Sequence, residues 1–518
     1  MAPGDDGPRV PGVARSPRPC ARAARRAAPF ALLGAFVAGV AVARARRRGP
    51  TGSWPGPVRH GRRGARNARL AVLGARTGGA WATHRARRAF ADAGRRQQLD
   101  REFELRTAEQ VAEALGHMKG ALMKVGQMAS YLDQGLPEHV RTALAELQRD
   151  APPMSPELAA GVVHEELGAA PEELFAEWDP EPIASASIGQ VHRAMTADGR
   201  AVAVKVQYPG VAEALAADLD NAGLIFAGLA QLFPGLDHRA VVAELRERLV
   251  EELDYGVEAR NQQQFRAFYD GHPTIHVPAV LPELSTRRLL TTELSDGAPW
   301  SELLGWSQEE KDLAAETIYR FAFGSLYRQA AFNGDPHPGN YLFHRGGRVT
   351  FLDFGLVKHF TAAELAQFAE MIRHMVLDHD PAAFRRTVER LGLLPAGLEV
   401  TDDEVADYLG HFYEFVRVDG TYTITPEYAA ETVRRFFDTS GPYVAMQRAA
   451  NVPQSFVIIQ RINLGLYAIF GELHATANWR RIAEELWPFV DGPPSTPMGE
   501  RIERWQRRRH RPSAKLGG

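Results

Sequence analysis

The pattern of apolar and polar positions changes period along this chain, and each change predicts an element. Ala201-Val202-Ala203-Val204-Lys205-Val206 alternates small and β-branched residues as a half-buried strand does, with one lysine carried on it. Tyr341 to His344 and residues 348–352 read as two further strands broken by Arg345-Gly346-Gly347, which predicts a hairpin. Across 107–132 the period lengthens: Val111, Leu115, Met118, Leu122, Val125, Met128 and Leu132 recur at three and four positions, the spacing of an amphipathic helix. Residues 251–261 read as a helical segment that places Asp254 and Glu258 on one face, with Asn261 three further on. Leu289-Leu290 leads into Thr291-Thr292-Glu293-Leu294 as a strand and its exit. Residues 456–470 are apolar but interrupted by Gln460, Arg461 and Asn463, so they predict a core helix and not a membrane span.

The predicted hairpin is flanked by the most informative chemistry. Asp335-Pro336-His337-Pro338-Gly339-Asn340 precedes it and Leu352-Asp353-Phe354-Gly355 follows it. An Asp and an Asn supply hard oxygen donors of the kind that converge on magnesium beside a nucleotide triphosphate. Asn340 lies five residues after Asp335 and Asp353 eighteen after it, which leaves room for a turn and two short strands. In a kinase-like site that spacing presents Asp335 to the accepting group and brings Asn340 and Asp353 to the metal. Lys205, on its strand 130 residues upstream, grips the α and β phosphates. Either motif alone occurs by chance, and Lys205 alone would read as an ordinary edge-strand lysine; both motifs in order and in register are specific.

Four segments carry a family resemblance: Lys124-Val125-Gly126-Gln127, Ala184-Ser185-Ala186-Ser187-Ile188-Gly189-Gln190-Val191-His192, Glu252-Leu253-Asp254-Tyr255, and Asp335 to Asn340. Over roughly residues 100 to 480 the chain resembles the UbiB/AarF (ADCK) group of atypical, protein-kinase-like proteins. The resemblance implies a preference for ADP, weak or absent protein phosphorylation, and an N-terminal helix laid across the cleft where a peptide substrate would dock. Ala184, Ser185, Ala186, Ser187 and Ile188 stand where ordinary kinases place a glycine-rich phosphate loop; small side chains still permit close approach, but Ala forfeits positive φ. The same stretch would otherwise read as a plain turn between strands. Glu258 is assigned to the ion pair with Lys205, and Glu252 with Asp254 to contacts with Lys124, while Lys124 and Gln127 share one helix face. Glu293 and Leu294 occupy the expected hinge, where backbone groups read the adenine edge. One departure stands out: the family's His-Ala-Asp is Asn333-Gly334-Asp335 here, which keeps the metal ligands but changes how the loop is braced.

Composition divides the chain. Its net charge is −2, yet residues 1–100 hold 21 Arg, no Lys and four acids, a balance of +17, so the remainder carries −19. Residues 1–98 are rich in Arg, Gly, Ala and Pro and predict little packed core. Within them 27–43 is uncharged and flanked by arginines, which fits a membrane anchor, a signal or transit peptide, or a segment upstream of the true translation start. A second basic cluster from Arg501 to Lys515 contains Trp505, a composition suited either to a membrane surface or to a solubilising tail. The single cysteine, Cys20, excludes an intrachain disulfide and a cysteine-cluster metal site. No nucleic-acid motif accompanies the arginines.

These observations predict an α+β, two-lobed protein-kinase-like fold. The expected organisation is a basic region at 1–98, a helical extension at 99–165, an N-lobe at 166–295, a C-lobe with added helices at 296–490 and a basic tail at 491–518. The expected ligands are ATP or ADP with Mg2+. The expected activity is a magnesium-dependent ATPase or small-molecule kinase, and by resemblance it supports isoprenoid quinone biosynthesis or membrane lipid homeostasis. A nucleotide-binding regulatory scaffold with vestigial hydrolysis is the alternative. The expected setting is cytoplasmic, peripheral to or anchored in a membrane, with a lipid or quinone precursor as partner. Replacing Ala186 with Gly is expected to free the loop and shift preference toward ATP; equal ADP to ATP affinity ratios before and after the change would contradict this.

Overall fold

The structure, a computed structural model, describes residues 154–186, 188–212, 253–437, 441–451 and 453–509. Lys124, Gln127, Ser187 and Glu252, the segment 27–43 and the helix expected over 107–132 lie outside the described residues. The description begins at helix α1 (Pro156–Leu167), where the Ser155 hydroxyl caps the Leu158 amide and Gly168 ends the helix at φ 80°. There follow β1 (Phe175–Ser185), β2 (Gly189–Thr196), β3 (Ala201–Gln207), α2 (Tyr255–Tyr269), β4 (Ile275–His276) and β5 (Leu289–Glu293). Strands β1, β2, β3 and β5 form one antiparallel sheet in that order.

The alternation in β3 sets the two faces of this sheet. Val202, Val204 and Val206 are fully buried and share a core with Ala159, Val162 and Val163 of α1. Lys205 must therefore point to the opposite face, toward α2. The sequence-drawn division at 165 and 166 falls inside α1, which is part of this N-lobe core. Gly189 is required where β2, β3 and α2 converge, because a Cβ there would lie 2.3 Å from the Val206 carbonyl oxygen and 2.8 Å from the Tyr255 hydroxyl.

The second lobe is built on the long helix α3 (Gln308–Gln329), capped by Ser307 and ended by Ala330 in the left-handed region at φ 51°. β6 (Ala331–Asn333) pairs with β9 (Val357–His359), and between them lies the predicted hairpin, β7 (Tyr341–His344) and β8 (Arg348–Phe351). Gly346 and Gly347, both at φ 74°, make its turn, and β4 joins β8 in parallel. Helices Ala362–Ile372, Pro381–Arg390, Asp402–Gly410 and Pro426–Phe437 follow, and Pro426–Phe437 and α3 pack along α4 (Gln454–Leu473), the predicted core helix; Ile462, Leu466, Tyr467 and Phe470 on it are buried. A last helix, α5 (Pro497–Arg509), closes the described chain.

Two expectations need correction. Asp254 is not inside a helix with Glu258: α2 starts at Tyr255, and Asp254 caps it by accepting from the Gly256 amide at 2.9 Å. A short carboxylate satisfies orphan helix-terminal N–H groups better from the N-cap than from within a turn. The tryptophan of the basic tail is not displayed for a membrane surface, because Trp505 is only 6% exposed and packs against the fold.

The hairpin is held to α3 by Phe351 stacked on Phe321, centroids 3.7 Å apart and planes within 16°. Phe351→Ala is expected to cost about 3–5 kcal/mol in urea unfolding, because it opens a cavity between fully buried rings. A loss below about 1 kcal/mol would show that this contact does not carry the hairpin.

Candidate active site

Lys205 Nζ lies 2.9 Å from both Glu258 oxygens, so β3 and α2 are joined by a two-pronged ion pair. The pair is largely dry, with side-chain exposures of 17% for Lys205 and 5% for Glu258. Asp353 Oδ2 is 3.6 Å from the same ammonium, and the Tyr255 ring lies beneath it at 5.0 Å. Burial by itself pushes the Lys205 pKa down, but Glu258 first and Asp353 after it outweigh that and hold it well above the ordinary lysine value. Its charge is therefore fully present below the unfolded lysine value of about 10.4 and is lost only as pH rises through the higher folded value.

The two acidic loops meet on the other side of that lysine. Asn340 Nδ2 donates to both the backbone oxygen and Oδ2 of Asp335, each at 3.2 Å, so a cation at Asn340 would be met by its Oδ1. Asp353 Oδ1 accepts from the Gly355 amide at 2.9 Å. A carboxylate and an amide oxygen are the hard donors that suit magnesium. Among the described residues no group of three or more His, Cys, Asp or Glu is arranged around a common point. A cation here would take few protein ligands and complete its shell with phosphate oxygens and water.

Asn333, at the position where the sequence departs from the family pattern, does the bracing. Its Nδ2 donates to the Asp353 carbonyl at 2.7 Å and its Oδ1 accepts from the Asp335 amide at 3.2 Å, so one side chain fixes both acidic loops. Gly334 donates to the Leu356 carbonyl at 2.7 Å and has no room for a side chain, since a Cβ would sit 2.9 Å from Leu356 Cγ. Pro336 is pressed against Gly465 of α4, which ties the loop to the C-lobe core. His337 Nδ1 accepts from the Gly339 amide at 3.0 Å and shapes the turn between the two prolines.

Phe354 is fully buried, 5.1 Å from Phe265 on α2 and 6.3 Å from Phe321 on α3. Asn261, also on α2, donates to the Phe354 carbonyl at 3.0 Å. The Asp353 loop and the helix that carries Glu258 are thus one packed unit. The sequence marked Asn333 only as the point where the loop's bracing departs from the family pattern, without its partners, and it did not point to Asn261 as a brace.

Of the remaining expected contacts, Ala184 and Ser185 end β1 and pair with Val191 and Gln190 at the exposed rim of the sheet. The turn is closed by the Ala186 amide donating to the Gly189 carbonyl at 2.8 Å, and Ile188, 2% exposed, anchors it from below. Glu293 turns away from Lys205: its carboxylate takes the His276 ring nitrogen at 3.2 Å and the Ala279 amide at 3.1 Å. The His276 hydrogen bond is the main reason its pKa is held down to about 2. The Glu293 and Leu294 amides already donate to Ala279 and Ala201, so a hinge contact with a nucleotide would run through their carbonyls. Just beyond them Ser295 has a buried hydroxyl with no hydrogen-bond partner among the described residues, a group the sequence did not single out.

The comparisons with known proteins agree with this geometry. Residues 146–386 match the ABC1 atypical kinase-like domain. Atypical kinase COQ8, mitochondrial, of Saccharomyces cerevisiae is 27% identical over 394 residues, 74% of this chain and 76% of that protein. Atypical kinase COQ8B, mitochondrial, of Rattus norvegicus is 28% identical over 382 residues, 73% of this chain and 72% of that one. A solved structure of an Rv3197–erythromycin complex from Mycobacterium tuberculosis superposes with a TM-score of 0.57 at 32% identity, covering 76% of this chain and 100% of the other. The fold is accordingly the α+β, two-lobed kinase-like one, and the chain belongs to the ABC1 (UbiB/AarF, ADCK) family of atypical kinase-like proteins.

Proposed function

We propose that this protein binds ATP or ADP with Mg2+ and uses the γ-phosphoryl group in ATP hydrolysis or in transfer to a small acceptor. The observation that carries this reading is the convergence on one ammonium of Glu258 at 2.9 Å and Asp353 at 3.6 Å. A lysine kept charged in a dry site is suited to phosphate oxygens, and Glu258 keeps it from collapsing onto the metal ligand Asp353. Asn340 and Asp353 would hold the magnesium, which neutralises charge on the β and γ oxygens. Asp335, held by the Asn340 amide, would face the acceptor hydroxyl or water and orient it.

The acceptor is proposed by family likeness alone. Relatives named atypical kinase COQ8 direct attention to isoprenoid quinone precursors, with membrane lipid as the neighbouring possibility. The Ala184 to Ile188 turn, stiffer than a glycine loop, favours the diphosphate. A membrane-peripheral setting is part of this proposal; among the described residues no helix is long and apolar enough to cross a bilayer.

Steady-state ATPase measurements test the reading. Magnesium-dependent turnover is expected for the unaltered chain, with losses on the order of a hundredfold or more for Asp353→Asn and Lys205→Ala. Binding of nucleotide with no turnover that either substitution lowers would instead indicate a regulatory scaffold. The pH dependence follows from the raised lysine pKa: phosphate affinity through Lys205 is expected to hold up to about pH 9. A loss of affinity with a midpoint below about pH 9, absent from Lys205→Arg, would contradict the electrostatic account.

A further inference from the structure

The C-terminal helix α5 makes contacts that its arginine-rich composition does not foreshadow. Its first turn is locked to the C-lobe. Glu485 Oε1 accepts from the Ser495 and Thr496 amides at 2.7 and 2.8 Å, while Arg320 of α3 donates to Glu485 Oε2 and to the Thr496 hydroxyl, both at 2.7 Å. Arg320 and Glu485 are 2% and 8% exposed, so this anchor is a buried network. Gly499 fits against it only because it lacks a side chain, a Cβ there lying 2.0 Å from Glu485 Oε2.

The last turn of α5 is locked to α2. An α-helix ends in carbonyls with no intrahelical partner, and these carry its negative dipole end. At the end of α2 those groups are taken by α5: Arg509 donates to the Ala267 carbonyl at 3.0 Å and to the Phe268 carbonyl, and Trp505 Nε1 donates to the Asp270 carbonyl at 2.9 Å. Arg509 is held over the Trp505 ring at 5.2 Å, and Trp505 meets the His272 ring edge-on at 4.6 Å. His272 in turn accepts from the Thr274 and Ile275 amides, at 3.3 and 3.0 Å, fixing the turn between α2 and β4.

We propose that α5 is a strut that pins the C-terminal end of α2 to the C-lobe and so positions Glu258 for Lys205 and Asn261 for the Phe354 loop. Trp505 and Arg509 are its positioning residues. They touch no nucleotide; they act through a helix whose other end carries the ion pair of the site. Without them the end of α2 keeps its packing on Phe321 and Phe354 and the Tyr269 hydroxyl's bonds to Ser325 and to the Phe321 carbonyl of α3, but loses three carbonyl contacts to α5. The helix then rocks more about that remaining anchor, which loosens Glu258 against Lys205. The consequence for nucleotide binding rests on the function proposed above, whereas the strut itself does not.

The test compares hydrogen exchange across α2 and the affinity for Mg·ADP in the full chain for Arg509→Ala, Arg509→Lys, Trp505→Phe and Arg508→Ala. Arg509 is exposed and its removal does not open the core, so the fold is retained. Arg509→Ala is expected to speed exchange in 262–270 by about tenfold or more, with α4 unchanged, and to weaken Mg·ADP by several-fold. Trp505→Phe, which keeps a ring but loses the Nε1 donor, is expected to do the same more weakly. Arg509→Lys restores most of both effects, and Arg508→Ala, one residue away on the same helix, changes neither. Unaltered exchange across α2 in both Arg509→Ala and Trp505→Phe overturns the strut, as does a uniform rise that includes α4. If the unaltered chain binds no Mg·ADP, the nucleotide reading fails separately and the exchange comparison alone decides the strut.

Discussion

The ion pair between Lys205 and Glu258 is the constraint on which the rest of the arrangement depends. A lysine and a glutamate taken mostly out of water cost several kcal/mol each unless they find one another, and removing one partner typically costs about 3–5 kcal/mol. This pair therefore dictates that β3 and α2 stay in register across the lobe. It also goes with a glycine at 189, since the Tyr255 hydroxyl and the Val206 carbonyl stand where a Cβ would lie. Asp353 Oδ2 then lies 3.6 Å from an ammonium that Glu258 already partly neutralises.

From that pair the structure builds outward in two directions. Toward the C-lobe, Asn261 and Phe354 attach α2 to the Asp353 loop, and Asn333 attaches that loop to Asp335. Away from the site, the spent carbonyls at the end of α2 meet α5, whose root is the buried Arg320 and Glu485 network. Lys205, Glu258, Asp353, Asn333, Asp335 and Asn340 are thus members of a single bonded chain of contacts.

Much of this was legible in the residues. The period of two at Ala201 to Val206 and on either side of Arg345-Gly346-Gly347 is a direct consequence of strands with one face on a core, and the hairpin appears with its turn where expected. The spacing of Asp335, Asn340 and Asp353 was readable because the loop and the hairpin between them are local. What was not readable depends on contacts far apart in sequence. Trp505 meets residues more than 230 positions away, and among so many arginines its composition resembled a surface-seeking tail. Asp254 was read as a helix-face acid because spacing alone cannot separate an N-cap from the first turn. The change of bracing at Asn333 was visible, but its partners were not, because they are backbone groups, which every residue possesses and no pattern marks.

The central claim, that Asn340 and Asp353 share one divalent ion beside a nucleotide gripped by Lys205, is tested most directly by calorimetric titration of ADP and ATP with and without Mg2+, for the unaltered chain and for Asp353→Asn. The account predicts tightening by magnesium in the unaltered chain that disappears in Asp353→Asn, while metal-free nucleotide binding survives. Magnesium tightening of equal size in both proteins would contradict it.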